Sequence, residues 1–176
     1  FFGWVEGRSC SRRGRVLLPA QLVFWNYCRS YGGFGEPFLR EANTSGAAGH
    51  YSLEEALLAG IYELVQRDGF LVSWLSSHPL PRIEISAVKE DDLQLLVAAL
   101  HQSGIEAFFL DTTSDIGIPA CVCVLHDVSG SGPFIALGAG CGFDPVRILL
   151  HSLTEALMLR NWTAKNTIPF HLPSGI

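Results

Sequence analysis

Charge is what this sequence has least of. Asp, Glu, Lys and Arg make up 16% of its 176 residues against 48% hydrophobic, so an ionisable side chain inside an apolar stretch is informative here. Positive charge is scarcer still: 12 Lys plus Arg face 17 Asp plus Glu, for a formal net charge of -5. The one basic cluster, Arg8, Arg12, Arg13 and Arg15, is too short to supply the concentrated field that sequence-independent nucleic-acid binding needs, and no nucleic-acid partner is expected. No apolar run approaches the roughly 20 residues of a membrane-spanning helix, and no charged stretch precedes an apolar one as in a signal peptide. A cytoplasmic setting with no membrane partner is the expectation. Methionine occurs once, as Met158, and the chain is expected to be a piece of something longer.

Metal-binding and nucleophile patterns are missing too. The five cysteines are odd in number and contain no C-x-x-C pair, which excludes a zinc ribbon and a paired disulfide framework. Cys121 and Cys123 alternate within 119–125, a strand-like run, so both point to one face and read as reduced core residues. The six histidines are scattered, none four residues from another, and no Ser or Cys stands at a recognisable spacing from a His.

What is present reads as an α+β domain. Residues 4–6 and 15–18 have strand character, Pro19 opens a short helical run, and Tyr31 to Gly35 is a glycine-rich loop. Ser52 and Glu55 form a capping-box pattern ahead of an apolar helix that continues to about Trp74, with Gly69 either bending or interrupting it or continuing within it, and Pro79 and Pro81 stop it. A strand at 82–85, a helix at 91–103 and a strand at 105–110 predict a parallel pair joined by a crossover. Strands follow at 118–126 and 133–137. Asp144 and Pro145 then open a second long helix as cap and first-turn proline. Gly138, Gly140 and Gly142 depart from the dinucleotide fingerprint at Phe143 and read as a tight loop. The expected architecture is a mixed sheet with helices packed on one face, a two-layer sandwich.

Against this apolar background, two carboxylates stand out. Glu63 shares a helix face with Ala56, Ala59, Gly60, Gln66 and Arg67, small residues followed by polar ones. Arg147, His151 and Glu155 fall at four-residue steps on the second long helix. One glutamate from each of two packed helices suits a magnesium-bound phosphate, since Mg2+ takes a few carboxylates with water and phosphate oxygens. The plainer reading is two local pairs, Glu63 with Arg67 and His151 with Glu155, each contributing a few tenths of a kcal/mol. Asn43 to Gly49, ahead of the capped helix, is either a phosphate-holding loop or a plain one.

Taken in order, WVEG at 4–7, LLPA at 17–20, TSGAAGH at 44–50, ELVQRD at 63–68, DTTSDIGIP at 111–119 and LTEA at 153–156 resemble the YcaO family along nearly the whole chain. The likeness is to the branch that forms azolines on ribosomally made peptides. It implies binding of ATP with Mg2+, attack of a Cys, Ser or Thr side chain on a neighbouring backbone amide, phosphorylation of that amide's oxygen, and loss of water to a thiazoline or oxazoline. By position it implies Glu63, Gln66, Arg67 and Glu155 as cofactor-binding residues, Glu63 and Glu155 as metal ligands, and Arg67 as a cation on the phosphate side. It further implies a precursor-peptide substrate, an E1-like or leader-peptide-binding partner protein, a homodimer, and residues 1–176 as a partial YcaO-like domain. Gln66 stands where the family motif has a second glutamate, and Met158 where it has a glutamine. Those departures support an alternative expectation: a degenerate YcaO-like module without ATP turnover, acting as scaffold or peptide-binding partner.

Overall fold

The computed structural model describes residues 2–11, 14–27, 35–130 and 132–166. The chain forms two compact units, 1–47 and 48–176. In the first, β1 (Trp4–Arg8) and β2 (Arg15–Pro19) pair antiparallel and the short helix α1 (Ala20–Val23) follows directly. This small unit is organised around polar side chains. Buried Gln21 donates its amide to Glu36 Oε2 and Pro37 O, both at 3.0 Å, and accepts from Leu39 N. Glu36 also accepts from Gly3 N at 2.8 Å and Tyr27 Oη at 3.1 Å. The Gln21 bond, then those of Gly3 and Tyr27, hold the Glu36 carboxyl below its ordinary range. Cys28 and most of the loop at 31–35 fall outside the described residues.

In the second unit α2 (Leu53–Ser76) begins where the capping pattern places it: Ser52 Oγ accepts from Glu55 N at 3.2 Å. It runs unbroken through Gly69 and ends at Ser77, which adopts a left-handed conformation ahead of Pro79. Gly69 lies within that continuous helix. It sits where a Cβ would strike the backbone carbonyl of Thr112, so glycine is what allows α2 this close to the sheet.

The sheet runs β3 (Arg82–Ile83), β4 (Ile105–Asp111), β5 (Ala120–Asp127), β6 (Ile135–Cys141), and every neighbouring pair is antiparallel. It is therefore not mixed, and the expected parallel pair is absent. β3 is only two residues long, and after a 3-10 turn (Ile85–Ala87), α3 (Asp91–Gln102) and a turn at Gly104 (φ 73°) the chain returns antiparallel, with Arg82 opposite Leu110 and Ile83 opposite Phe109.

One face of the sheet carries Phe109, Cys121, Cys123, Leu125 and Ala136, which form the core with Leu93 of α3 and Ile148, Leu149, Leu153 and Ala156 of α4 (Pro145–Asn166). Cys121 and Cys123 are both buried on it, and burial pushes their thiols up to about 11 and about 12. The opposite face presents Leu110, Val122, Val124 and Leu137, and there Phe70 and Trp74 of α2 lie. The α+β class holds, but the helices cover both faces rather than one.

β6 also runs past its expected end. Gly138 and Gly140, read from sequence as a loop, are strand residues facing α4. A Cβ on Gly138 would collide with Ala156 N and Ser152 O, and one on Gly140 would come within 2.5 Å of Ile148 O. The glycines are there so that α4 can lie directly on the strand.

Candidate functional site

The strand order places β6 at one edge of this sheet among the described residues, where the outward backbone groups have no neighbouring strand to pair with. At Ala139 both are taken by α4: Glu155 Oε2 accepts from Ala139 N at 2.7 Å, and His151 Nδ1 donates to Ala139 O at 3.1 Å. The expected His151–Glu155 pair thus gives way to two side chains clamping one strand residue. The other expected pair is formed, with Arg67 Nε donating to Glu63 Oε1 at 2.9 Å one turn away on α2.

The helices carrying the two glutamates do not pack on one another. They lie on opposite faces of the sheet, and their polar side chains meet around the edge of β6. A cavity of about 160 Å3 there is lined by Gln66, Arg67 and Phe70 of α2, Val122 and Leu137 of the sheet, the Gly138–Ala139 backbone, and Glu155 of α4. Three of the four residues singled out in the sequence share this cavity. Glu63 does not line it but is bonded to the arginine that does. Met158 is exposed and lines no part of it.

A second, larger cavity of about 540 Å3 is lined by His151 together with Asp144, Arg147 and Ile148 at the start of α4. His50, Glu55, Tyr62, Cys141 and Arg147 contribute to its wall. Asp144 caps α4, accepting from Val146 N at 3.1 Å and Arg147 N at 3.2 Å. Glu55 accepts from Ser52 Oγ at 2.9 Å and pairs with His50 Nδ1 at 2.8 Å; the Ser52 hydroxyl bond, then His50, lowers its carboxyl below the ordinary range. Tyr62, Cys141 and the Ala139 backbone were not singled out by sequence reasoning. The only available signal was the alternation of Gly138 and Gly140, which marks a close helix–strand contact once read as strand.

The YcaO family model, described as YcaO cyclodehydratase, ATP- and Mg2+-binding, matches residues 2–171. The chain belongs to this family. An uncharacterised protein of Methanothermobacter thermautotrophicus is 27% identical over 158 residues, spanning 89% of this chain and 40% of its own length. The structure of a heterocyclase in complex with substrate and cofactor matches with TM-score 0.79 at 27% identity, over 97% of this chain and 22% of that one. The structure of YcaO from Methanopyrus kandleri bound with AMPPCP and Mg2+ matches with TM-score 0.76 at 23% identity, over 98% of this chain and 43% of that one, and so shares the fold. This YcaO chain spans about two fifths of the curated relative's length. ATP and Mg2+ are the cofactors of the family.

The donor chemistry around the cavity fits those cofactors. Glu155 offers the hard carboxylate oxygen that magnesium takes, and the guanidinium of Arg67, itself bonded to Glu63, suits phosphate oxygens. Among the described residues no group of three or more His, Cys, Asp or Glu side chains is gathered to hold a metal ion. No helix among the described residues is long and apolar enough to cross a membrane.

Proposed function

We propose that this chain is the part of a YcaO-type, ATP-dependent cyclodehydratase that holds the metal-bound triphosphate during azoline formation on a ribosomally made peptide. The observation carrying this reading is the shared cavity at the edge of β6, where Gln66, Arg67 and Glu155 arrive from two elements on opposite faces of the sheet. When bound, ATP with Mg2+ supplies the phosphoryl group that turns an amide oxygen into a leaving group.

The protein's own contribution is positional. Arg67 holds phosphate oxygens, and Glu63 keeps its guanidinium oriented through the Nε bond, leaving the terminal nitrogens for the ligand. Glu155 is held by its Oε2 on Ala139 N, so Oε1 is the oxygen offered to the cation. Gln66 offers an amide, able to bond phosphate or water but not to replace an anionic ligand. His151 fixes the same strand residue from its carbonyl side. Val122 and Leu137 give the cavity its apolar wall on the sheet side.

The substrate in this reading is a precursor peptide presented by an E1-like or leader-peptide-binding partner in the cytoplasm. A homodimer is the proposed assembly, and residues 1–176 are a portion of the YcaO domain. The test is incubation of the family-length protein with ATP, Mg2+ and a Cys-, Ser- or Thr-containing peptide. Peptide-dependent phosphate release with loss of one water per ring supports it, and an inert mixture with every presented peptide refutes it. Gln66 on the cavity wall, where a glutamate would add a second anionic ligand beside Glu155, favours one alternative. In it a degenerate module binds peptide or partner without turnover, and the same assay then gives peptide binding with no phosphate release.

A further inference from the structure

The cavity holding Arg67 and Glu155 does not end at its apolar wall. Phe70, Val122 and Leu137 line it and also line a second cleft of about 430 Å3, which runs beneath the C-terminal half of α2 along the face of the sheet. The two spaces differ in chemistry. The first carries a guanidinium and a carboxylate; the second is walled by Trp74, Leu110 and Val124 with the shared residues, and no Asp, Glu, Lys or Arg lines it. Its polar groups are few. The hydroxyl of Ser73 is taken by Gly69 O at 3.0 Å, which leaves Ser77 and His78 on the wall. Trp74 stays 66% exposed although its ring lies against Phe70, centroids 5.8 Å apart and planes inclined by 30°. A large ring left mostly bare beside an apolar cleft has area to give to a ligand.

We propose that this cleft receives a bulky apolar side chain of the polypeptide substrate, within a few residues of the amide that reacts. The inference rests on the proposed function in one respect, that the site at β6 acts on a peptide. Continuity carries the rest. A chain whose reacting amide lies by Arg67 and Glu155 extends along the shared wall of Phe70, Val122 and Leu137. The cleft it enters desolvates a charged side chain without a partner and repays an aromatic or branched aliphatic one. The cleft is thus a determinant of which peptides are used, separate from the groups that hold phosphate.

The experiment uses the family-length protein and a panel of short peptides with a common Cys or Ser and a neighbouring residue varied among Gly, Lys, Leu and Phe. Binding is measured by calorimetry without nucleotide, and phosphate release is measured in parallel with ATP and Mg2+. Leu and Phe peptides are expected to bind at least about tenfold tighter than Gly or Lys peptides, as follows from burying one large apolar side chain. Trp74→Ala removes the rim and Val124→Phe fills the floor; each is expected to reduce that preference to about twofold while Mg·ATP affinity stays unchanged. Trp74 is exposed, so its variant keeps the fold even if the filled one does not, and circular dichroism separates the cases. Equal affinity across the panel, or a preference that survives Trp74→Ala, overturns the proposal. Phosphate release without flank preference overturns the cleft and leaves the proposed function standing. Flank-dependent binding without phosphate release does the reverse.

Discussion

Replacing Gly138 by alanine tests the contact on which the site is built. Gly138 is a β6 residue against α4, and an added methyl meets Ala156 N and Ser152 O. Both are helix backbone, which cannot swing aside as a side chain can, so strand and helix must part. Overpacking of a fitted interior costs typically 1–3 kcal/mol, and a collision with backbone on both sides belongs near 3 kcal/mol. For a chain of this length each kcal/mol lowers the midpoint by about 3 °C, so thermal unfolding should move down by about 9 °C. Gly49→Ala is the matched control, because nothing lies within 4 Å of its added Cβ; it should shift the midpoint by less than about 2 °C. The separation also pulls Glu155 and His151 from Ala139, so Mg·ATP affinity should fall in Gly138→Ala by tenfold or more, as expected for losing about 1.4 kcal/mol of fixed geometry. A melt within about 2 °C of the parent would show that α4 does not lie on β6 as described, and the site built across that contact would fall with it.

Three further outcomes follow. The Glu36 carboxyl is depressed in the folded first unit, so its bonds to Gln21, Gly3 and Tyr27 stabilise above the ordinary glutamate range and are lost as pH falls through the folded value. Denaturant titrations at pH 7 and pH 3 should show Glu36→Gln less stable than the parent at the higher pH and closer to it at the lower; a constant gap contradicts this. Asp127 is lowered to about 2 by the Ser129 hydroxyl and then Arg160, so Arg160→Ala should flatten the acid limb of the stability curve between about pH 4 and pH 2, whereas an unchanged limb argues against the pair. With thiols held at about 11 and about 12 by burial, Cys121 and Cys123 should resist a thiol reagent at pH 8 while exposed Cys10 reacts at once; rapid labelling of either core cysteine in folded protein refutes that burial.

The parts of this fold legible in sequence were those set by local chemistry. Ser52 with Glu55 and Asp144 with Pro145 announced the starts of α2 and α4 because capping is satisfied within a few residues. Cys121 and Cys123 announced the buried face of β5 through their period of two. What stayed hidden depends on distant partners. Gly138 and Gly140 carry no side chain to show alternation, so β6 read as ending three residues before Gly140 instead of running to Cys141. β3, two residues long, holds no record of its direction. Neither the placement of α2 opposite α4 nor the preference of His151 and Glu155 for a strand edge over each other is encoded by four-residue spacing. Glu63, Gln66, Arg67 and Glu155 were visible because charge is scarce; Ala139, a backbone partner, had no letter that could reveal it.

The most direct measurement is calorimetric titration of ATP into the family-length protein with and without Mg2+, repeated on Glu155→Ala and on Arg67→Ala. Glu155 and Arg67 reach one cavity from opposite faces of the sheet, so the account predicts magnesium-dependent binding in the parent and a loss of at least tenfold in each variant, with the folded spectrum retained. ATP binding that is indifferent to magnesium and to both substitutions would contradict it.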